Sequence, residues 1–267
     1  MMLEHNRQRT HASGSHEPEL HVATYNIHKG FSKLNRRMTV HELREQLRNL
    51  GPDIVFLQEV QDLHHGHALR HHDWPAQEQS RFLADSVWEH SAYGRNAEYD
   101  EGHHGNAILS RFPIVSTENE DISSHRFERR GLLHCEVAVP GWKQHLHCVC
   151  VHLALGERGR RQQLRALASR VARLVPHDAP LIVAGDFNDW RDTATPLLLD
   201  ELHLQEAFHS AHGRLARSFP SGMPLLALDR IYVRGFTVHT ALAMQGRAWA
   251  RISDHAALSA RLRLGPR

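Results

Sequence analysis

The stretch LIVAGDFNDW, residues 181–190, runs four apolar residues straight into Gly185-Asp186-Phe187-Asn188. An apolar run of this length, closed by a turn signal, predicts a strand buried between layers of an α/β protein. Its end carries a carboxylate and a carboxamide two residues apart, and strand alternation would point both to one side of the sheet. Two other places carry comparable groups. In DIVFLQEV, residues 53–60, an apolar strand closes on Gln58-Glu59, and Ser253-Asp254-His255 stands near the C-terminal end.

Outward from these points the chain alternates helix and strand signals. LHVATYNI (20–27) reads as a strand, and MTVHELREQLRNL (38–50) as a helix with Met38, Leu43, Leu47 and Leu50 at helical spacing, stopped by Gly51-Pro52. Residues 61–79, rich in His, Gly, Trp and Pro, are expected to form a long loop before a short helix in QEQSRFLADSVW, and residues 91–105 a second loop. GNAILSR (105–111) is a strand; LLHCEVAV and HLHCVCVHL form a hairpin through Pro140-Gly141. In ERGRRQQLRALASRVARLV (157–175), Leu164, Leu167, Val171, Leu174 and Val175 make one apolar stripe, with the arginines on the other faces. A helix in TPLLLDEL and strands at LDRIYV, FTVHTAL and ALSARLRL complete the pattern. Several strand pairs read as antiparallel, so two packed mixed sheets with helices outside fit better than a doubly wound parallel sheet.

With 267 residues and 41% apolar content the chain can bury one large core, and residues 19–267 are read as a single catalytic domain. Residues 1–18 are polar throughout and read as a disordered tail, not a signal peptide. A formal charge of +2, from 32 basic and 30 acidic residues, argues against nucleic-acid binding as the default. The cysteines, Cys135, Cys148 and Cys150, are too few for a disulfide framework and point to a reducing, cytoplasmic setting. Buried thiols are the expected role for them, against a zinc site shared with His134 or His147. His64, His65, His67, His71 and His72 crowd one loop, where a solvated surface is expected before a transition-metal site.

Collected from strand ends and adjoining loops, the polar set is Asn26, Glu59, His152, Asp186, Asn188, Asp229, Asp254 and His255. If these converge, four carboxylates share one cleft, and like charges about 4 Å apart repel by roughly 4 kcal/mol at an effective dielectric near 20. A cation must then sit among them. Oxygen-rich donors with one or two imidazoles favour a hard ion, Mg²⁺ or Mn²⁺, over Zn²⁺. Hydrolysis of a phosphate ester suits such a centre.

The motifs TYNIHKG, DIVFLQEV, GNAILSRFPI, CVHL, GDFN, LDRIYV and SDH, in this order, resemble the endonuclease/exonuclease/phosphatase superfamily of DNase I-like proteins. TYNIHKGF, YGRNAEYDEGHHGNAILSR and VAGDFNDW resemble its YbhP-like bacterial branch, and the likeness spans about residues 20 to 264. It implies a four-layer α/β/β/α sandwich of two mixed β-sheets flanked by helices, with the site at one end of the sheets. It implies Glu59 as principal metal ligand beside Asn26 and Asp254, with Asp186 orienting or deprotonating the attacking water. Asn188 would donate to phosphoryl oxygens, His255 held by Asp229 would contact or protonate the phosphate, and His152 would stand near the leaving-group oxygen. Arg130, His28 and Asn106 are expected to meet substrate, with His103-His104-Gly105 shaping the mouth. DNA-repair relatives carry Asp where this chain has His28, which argues against a DNA-repair specificity.

The expected activity is a metal-dependent phosphodiesterase. A phosphomonoesterase, a phospholipid head-group hydrolase and a non-catalytic phosphate-binding module are the alternatives, the last disfavoured because no principal position is missing. Nucleic acid would need stacking aromatics such as Trp74 and Tyr93 with Arg95. A phospholipid would need Met223-Pro224-Leu225-Leu226 to be exposed, where ordinary core packing is the expectation; a small soluble ester needs neither.

Overall fold

The computed structural model describes residues 19–33, 36–125 and 128–265. In chain order the elements are β1 (Glu19–Asn26), α1 (Val40–Leu50), β2 (Ile54–His64), α2 (His65–Arg70), α3 (Gln79–Ala84), β3 (His90–Tyr99), β4 (Gly102–Ser110), β5 (Ile114–Asp121), β6 (Gly131–Val137) and β7 (Leu146–His152). There follow α4 (Glu157–Leu174), β8 (Leu181–Asp186), α5 (Ala194–Leu202), β9 (Gln205–Glu206), α6 (Ala207–His212), β10 (Asp229–Arg234), β11 (Phe236–Ala243), α7 (Arg247–Ala250) and β12 (Leu258–Leu264). The strands form two mixed six-stranded sheets, ordered β11-β12-β1-β2-β4-β3 and β5-β6-β7-β8-β10-β9.

Strand alternation builds the layers. In β7, Leu146, Cys148 and Cys150 face the other sheet, joining Val22, Phe56, Ile108, Ile182 and Ile231 in the central core. Val149 and Val151 point the opposite way, onto Leu164, Leu167 and Val171 of α4. On the far side Tyr25, Val55 and Leu57 meet Leu43 and Leu47 of α1 and Leu83 of α3. Helices therefore cover both outer faces, giving the α/β/β/α order. Helix α1 stops at Gly51, whose left-handed φ of 65° lets its N–H reach the Leu47 carbonyl.

The same alternation rules out a zinc site on the cysteines. His134 and His147 pair at 3.0 Å on the face opposite to Cys135 and Cys148. Burial pushes the Cys135 and Cys150 thiols up to about 12, so they remain protonated packing groups.

Several elements differ from expectation. Residues 61–70 are not loop: β2 continues past Glu59 to His64, and α2 follows. The 91–105 segment is the β3–β4 hairpin, in which Tyr93 pairs with Ala107 and Arg95 with Gly105. In α4 the arginines do not all face water, since Arg160 and Arg170 are buried. Arg170 meets Glu118 and Glu120 of the edge strand β5, and Arg160 reaches Asp189, so burial of each guanidinium comes with a carboxylate partner. The polar tail at 1–18 and the side chains of His64, His65 and His67 lie outside the described residues. Among the described residues no helix is long and apolar enough to cross a membrane.

Candidate active site

Strand direction puts the predicted polar groups at one end of the sandwich. The parallel pairs β1/β2 and β7/β8 run the same way, so Asn26 ends β1 and His152 and Asp186 end β7 and β8. Antiparallel β10 begins at that end with Asp229. Register sets His152, Asp186 and Asp229 side by side across three strands, His152 paired with Asp186 and Asp186 with Asp229. The turn before β12 brings Asp254 and His255 across from the other sheet, where Ser253 Oγ donates to the Asn26 carbonyl at 2.7 Å.

Asp186 is the point of convergence. Its Oδ2 accepts from Asn26 Nδ2 at 3.0 Å and faces His152 Nε2 at 3.6 Å and His255 Nε2 at 3.8 Å. Its Oδ1 accepts the Asn188 backbone N–H at 2.9 Å. Simple alternation does not place Asn188, because the strand ends at Asp186 and Asn188 has a left-handed φ of 49°. The resulting turn swings the carboxamide inward, where Nδ2 donates to the Leu153 carbonyl at 3.0 Å and keeps a second proton. Gly185 permits this approach of β8 to β7: a Cβ there would lie 1.9 Å from the Val151 carbonyl oxygen.

His255 Nδ1 contacts Asp229 Oδ2 at 2.8 Å. Burial alone would discharge the imidazole, but the Asp229 and Asp186 carboxylates outweigh it and hold His255 well above the ordinary histidine range. Burial, reinforced by Asp229, pushes Asp186 well above the usual carboxylate range, against the opposing pull of His255 and Asn26. His152 is driven the other way, by burial first and then by the positive charges of Arg130, His255 and Lys29, and stays neutral.

Glu59 does not close a strand. It sits at a bulge where β2 slips against β4, with a left-handed φ of 56°, and the bulge turns its carboxylate toward Asn26 Nδ2, 3.4 Å away. Its neighbour Gln58 points between the sheets and donates to Thr24 Oγ1 and Cys150 Sγ. Asp254 Oδ1 lies 3.5 Å from His28 Nδ1 and 3.4 Å from Ser253 Oγ. The carboxylates of Glu59 and Asp254 are thus only weakly engaged by protein donors. The Asn26 amide oxygen accepts the His28 N–H at 3.1 Å and keeps a second lone pair, so together these side chains offer the hard-oxygen donor types that a divalent cation of the Mg²⁺ type takes. Asp186, Asp229 and His255 also form a close buried cluster, their ligand atoms within 4.8 Å of one another. There the imidazole already bridges both carboxylates, so that cluster suits proton handling rather than metal ligation.

The structure brings Asn26, His28, Glu59, His152, Asp186, Asn188, Asp229, Asp254 and His255 together, and treats Arg130 and Asn106 differently. Arg130 directs its guanidinium inward, to Glu128 at 3.1 Å and to the Leu153 and Arg129 carbonyls, and acts on the site through its charge. Asn106 is fully buried and donates from β4 to the Gly131 and Cys150 carbonyls, tying one sheet to the other. Sequence reasoning missed Lys29, whose charge reaches His152 and His104. Its signal was a basic residue in the Gly-terminated turn immediately after Asn26, where His28 and Lys29 both take positive φ. His104 is itself held down to about 4, by burial and then by Lys29.

A family model described as Endonuclease/Exonuclease/phosphatase family matches residues 23–255. The YbhP protein of Escherichia coli strain K12 is 49% identical over 243 residues, spanning 91% of this chain and 96% of that protein. Among solved structures, an endonuclease/exonuclease/phosphatase from Beutenbergia cavernae superposes with a TM-score of 0.72 at 21% identity, covering 92% of this chain and 72% of the other. The Bacteroides thetaiotaomicron mannosyl-6-phosphatase Bt3783 superposes with a TM-score of 0.69 at 17% identity, covering 91% and 99%. At such identities the two structures carry the fold.

Proposed function

Because the chain belongs to the endonuclease/exonuclease/phosphatase family, whose members hydrolyse phosphoester bonds, we propose that it is a divalent-metal-dependent phosphodiesterase. The observation that supports this reading best is the convergence of Asn26, His152 and His255 on Asp186 Oδ2. Asp186, its proton affinity raised by burial, is the base that orients and deprotonates the attacking water. His255, kept protonated by Asp229, donates to a phosphoryl oxygen as negative charge develops. The free amide proton of Asn188 supplies a second donor, and neutral His152 stands beside the leaving-group oxygen. Mg²⁺ or Mn²⁺, held by Glu59, Asn26 and Asp254, would neutralise phosphoryl charge as a Lewis acid.

The test is turnover of bis(p-nitrophenyl) phosphate with Mg²⁺ or Mn²⁺. Activity is expected to disappear in folded Asp186→Ala and His255→Ala proteins, and unchanged rates in both would overturn the assignment. A phosphomonoester is the second reading, supported by the activity named for the Bacteroides structure. Parallel assay of p-nitrophenyl phosphate separates the two.

A further inference from the structure

The apolar segment beside Asp229 is exposed. Residues 219–226 fold back so that the Leu225 and Leu226 N–H groups both donate to the Phe219 carbonyl at 2.8 Å. The base of this loop is fastened to the site. Ser221 N–H donates to the Asp254 carbonyl at 2.7 Å, Ser218 Oγ accepts from the Asp229 N–H at 3.2 Å, and the Phe219 ring lies 5.1 Å from the His255 imidazole. At the tip, Met223, Leu225 and Leu226 are 66%, 54% and 40% exposed. One exposed leucine needs no explanation, but three large apolar side chains on an anchored loop mark a surface with an occupant.

Charge identifies the occupant. Leu225 and Leu226 line an open groove that also takes in Trp190, Leu215, Arg214 and Arg217, and no acidic residue lines it. Both arginines are exposed, and neither forms an ion pair among the described residues. A second copy docking by this face would set arginines against arginines. A nucleic acid would ask for a succession of free stacking aromatics, whereas Trp190 in this groove already has the Arg160 guanidinium over its ring at 4.9 Å, His212 is bonded to the Ala241 carbonyl and the loop tip is aliphatic. Aliphatic tips flanked by free guanidiniums match an anionic lipid layer, with methylenes below and phosphates at the level of the arginines.

We propose that this face docks on anionic phospholipid and that the ester the site receives is the headgroup phosphodiester of a membrane lipid. The inference rests on the phosphodiesterase reading above. In the step, the water oxygen joins phosphorus, the P–O bond to one esterified alcohol breaks, and that alcohol leaves with the proton.

The test is sedimentation of the full chain with vesicles of phosphatidylglycerol and phosphatidylcholine, against phosphatidylcholine alone, with lipid products read by mass spectrometry. The wild type is expected to sediment with the anionic vesicles and to convert phosphatidylglycerol. A Met223→Ser/Leu225→Ser/Leu226→Ser protein, its fold checked by circular dichroism, is expected to lose roughly tenfold or more in vesicle affinity and lipid turnover, with bis(p-nitrophenyl) phosphate turnover unchanged. Arg214→Gln/Arg217→Gln is expected to remove the preference for anionic vesicles. The proposal is overturned if the wild type stays in the supernatant at low salt, if the triple variant binds vesicles as well as the wild type, or if the substitutions abolish DNA binding or dissociate a dimer instead. Failure to cleave the soluble diester would sink the phosphodiesterase reading, while sedimentation would still judge the surface.

Discussion

Asp229 meets His255 from behind: Asp229 Oδ2 lies 2.8 Å from Nδ1, leaving Nε2 toward Asp186. The carboxylate thereby selects which imidazole nitrogen carries the useful proton and keeps the ring charged.

Asp229→Asn is therefore expected to lower kcat by roughly a hundredfold or more. The sign of the accompanying pH effect follows from the pair. Asp229 is one of the charges that raise His255, so its loss lowers the histidine and moves the alkaline limb of kcat/KM to lower pH. A pH–rate profile of both proteins checks it.

Arg160 is almost fully buried, with Nε 3.6 Å from Asp189 Oδ1 and Nη1 donating to the Ala154 and Leu155 carbonyls. Arg160→Met removes the guanidinium counter-charge of the buried Asp189 carboxylate, which keeps only the neutral donors Thr193 Oγ1 and Ala194 N–H, and is expected to cost about 3 kcal/mol of stability. Thermal denaturation monitored by circular dichroism measures the loss.

Gly185→Ala is expected to destabilise by about 2 kcal/mol or more, because φ is 148° there and the new methyl would meet the Val151 backbone. Gly222→Ala, where a Cβ meets nothing within 4 Å, serves as the control and should melt like the wild type.

Chelation by EDTA is expected to abolish turnover, and added Mg²⁺ or Mn²⁺ to restore it. Glu59→Gln keeps the shape of the side chain and removes its charge, so the metal concentration for half-maximal activity should rise by roughly tenfold or more. Metal titration of the rate reads this directly.

Glu206 caps α6 from a buried position, accepting the His209 N–H at 2.6 Å, and burial raises it to about 7. A carboxyl group raised above its unfolded value contributes stability in full below the ordinary carboxylate range and loses it as pH rises through about 7. Glu206→Gln should remove this slope. The drop in Tm between pH 5 and pH 8 is then expected to be larger for the wild type than for the variant.

What could be read from the chain follows the burial of each element. Strands β7 and β8 and the stripe of α4 announced themselves because both faces, or one whole stripe, are apolar. Strands β3 and β5 did not. They are edge strands, and sequences such as HSAYGRNAEY and IVSTENED carry polar groups that water or Arg170 satisfies. Arg160 and Arg170 were assigned to solvent because charge normally stays there; only their tertiary carboxylate partners show why they are buried. At the site, residue types and order exposed Asp186, Asp229 and His255. The bulge at Glu59 and the left-handed turn at Asn188 are backbone events without a side-chain signature, and the commitments of Arg130 and Asn106 to carbonyls depend on segments far away in sequence.

Among the described residues β1 is the earliest strand in sequence; it lies between β2 and β12, the latest, and bonds to β12 from Glu19↔Arg263 to Thr24↔Leu258. A polypeptide cut short before Ser253 would leave that flank of β1 open and would also lack Asp254 and His255. Such a fragment would at once lack a partner for one side of a central strand and two of the groups proposed for hydrolysis, so the late segment ties structural closure to the assembly of the site.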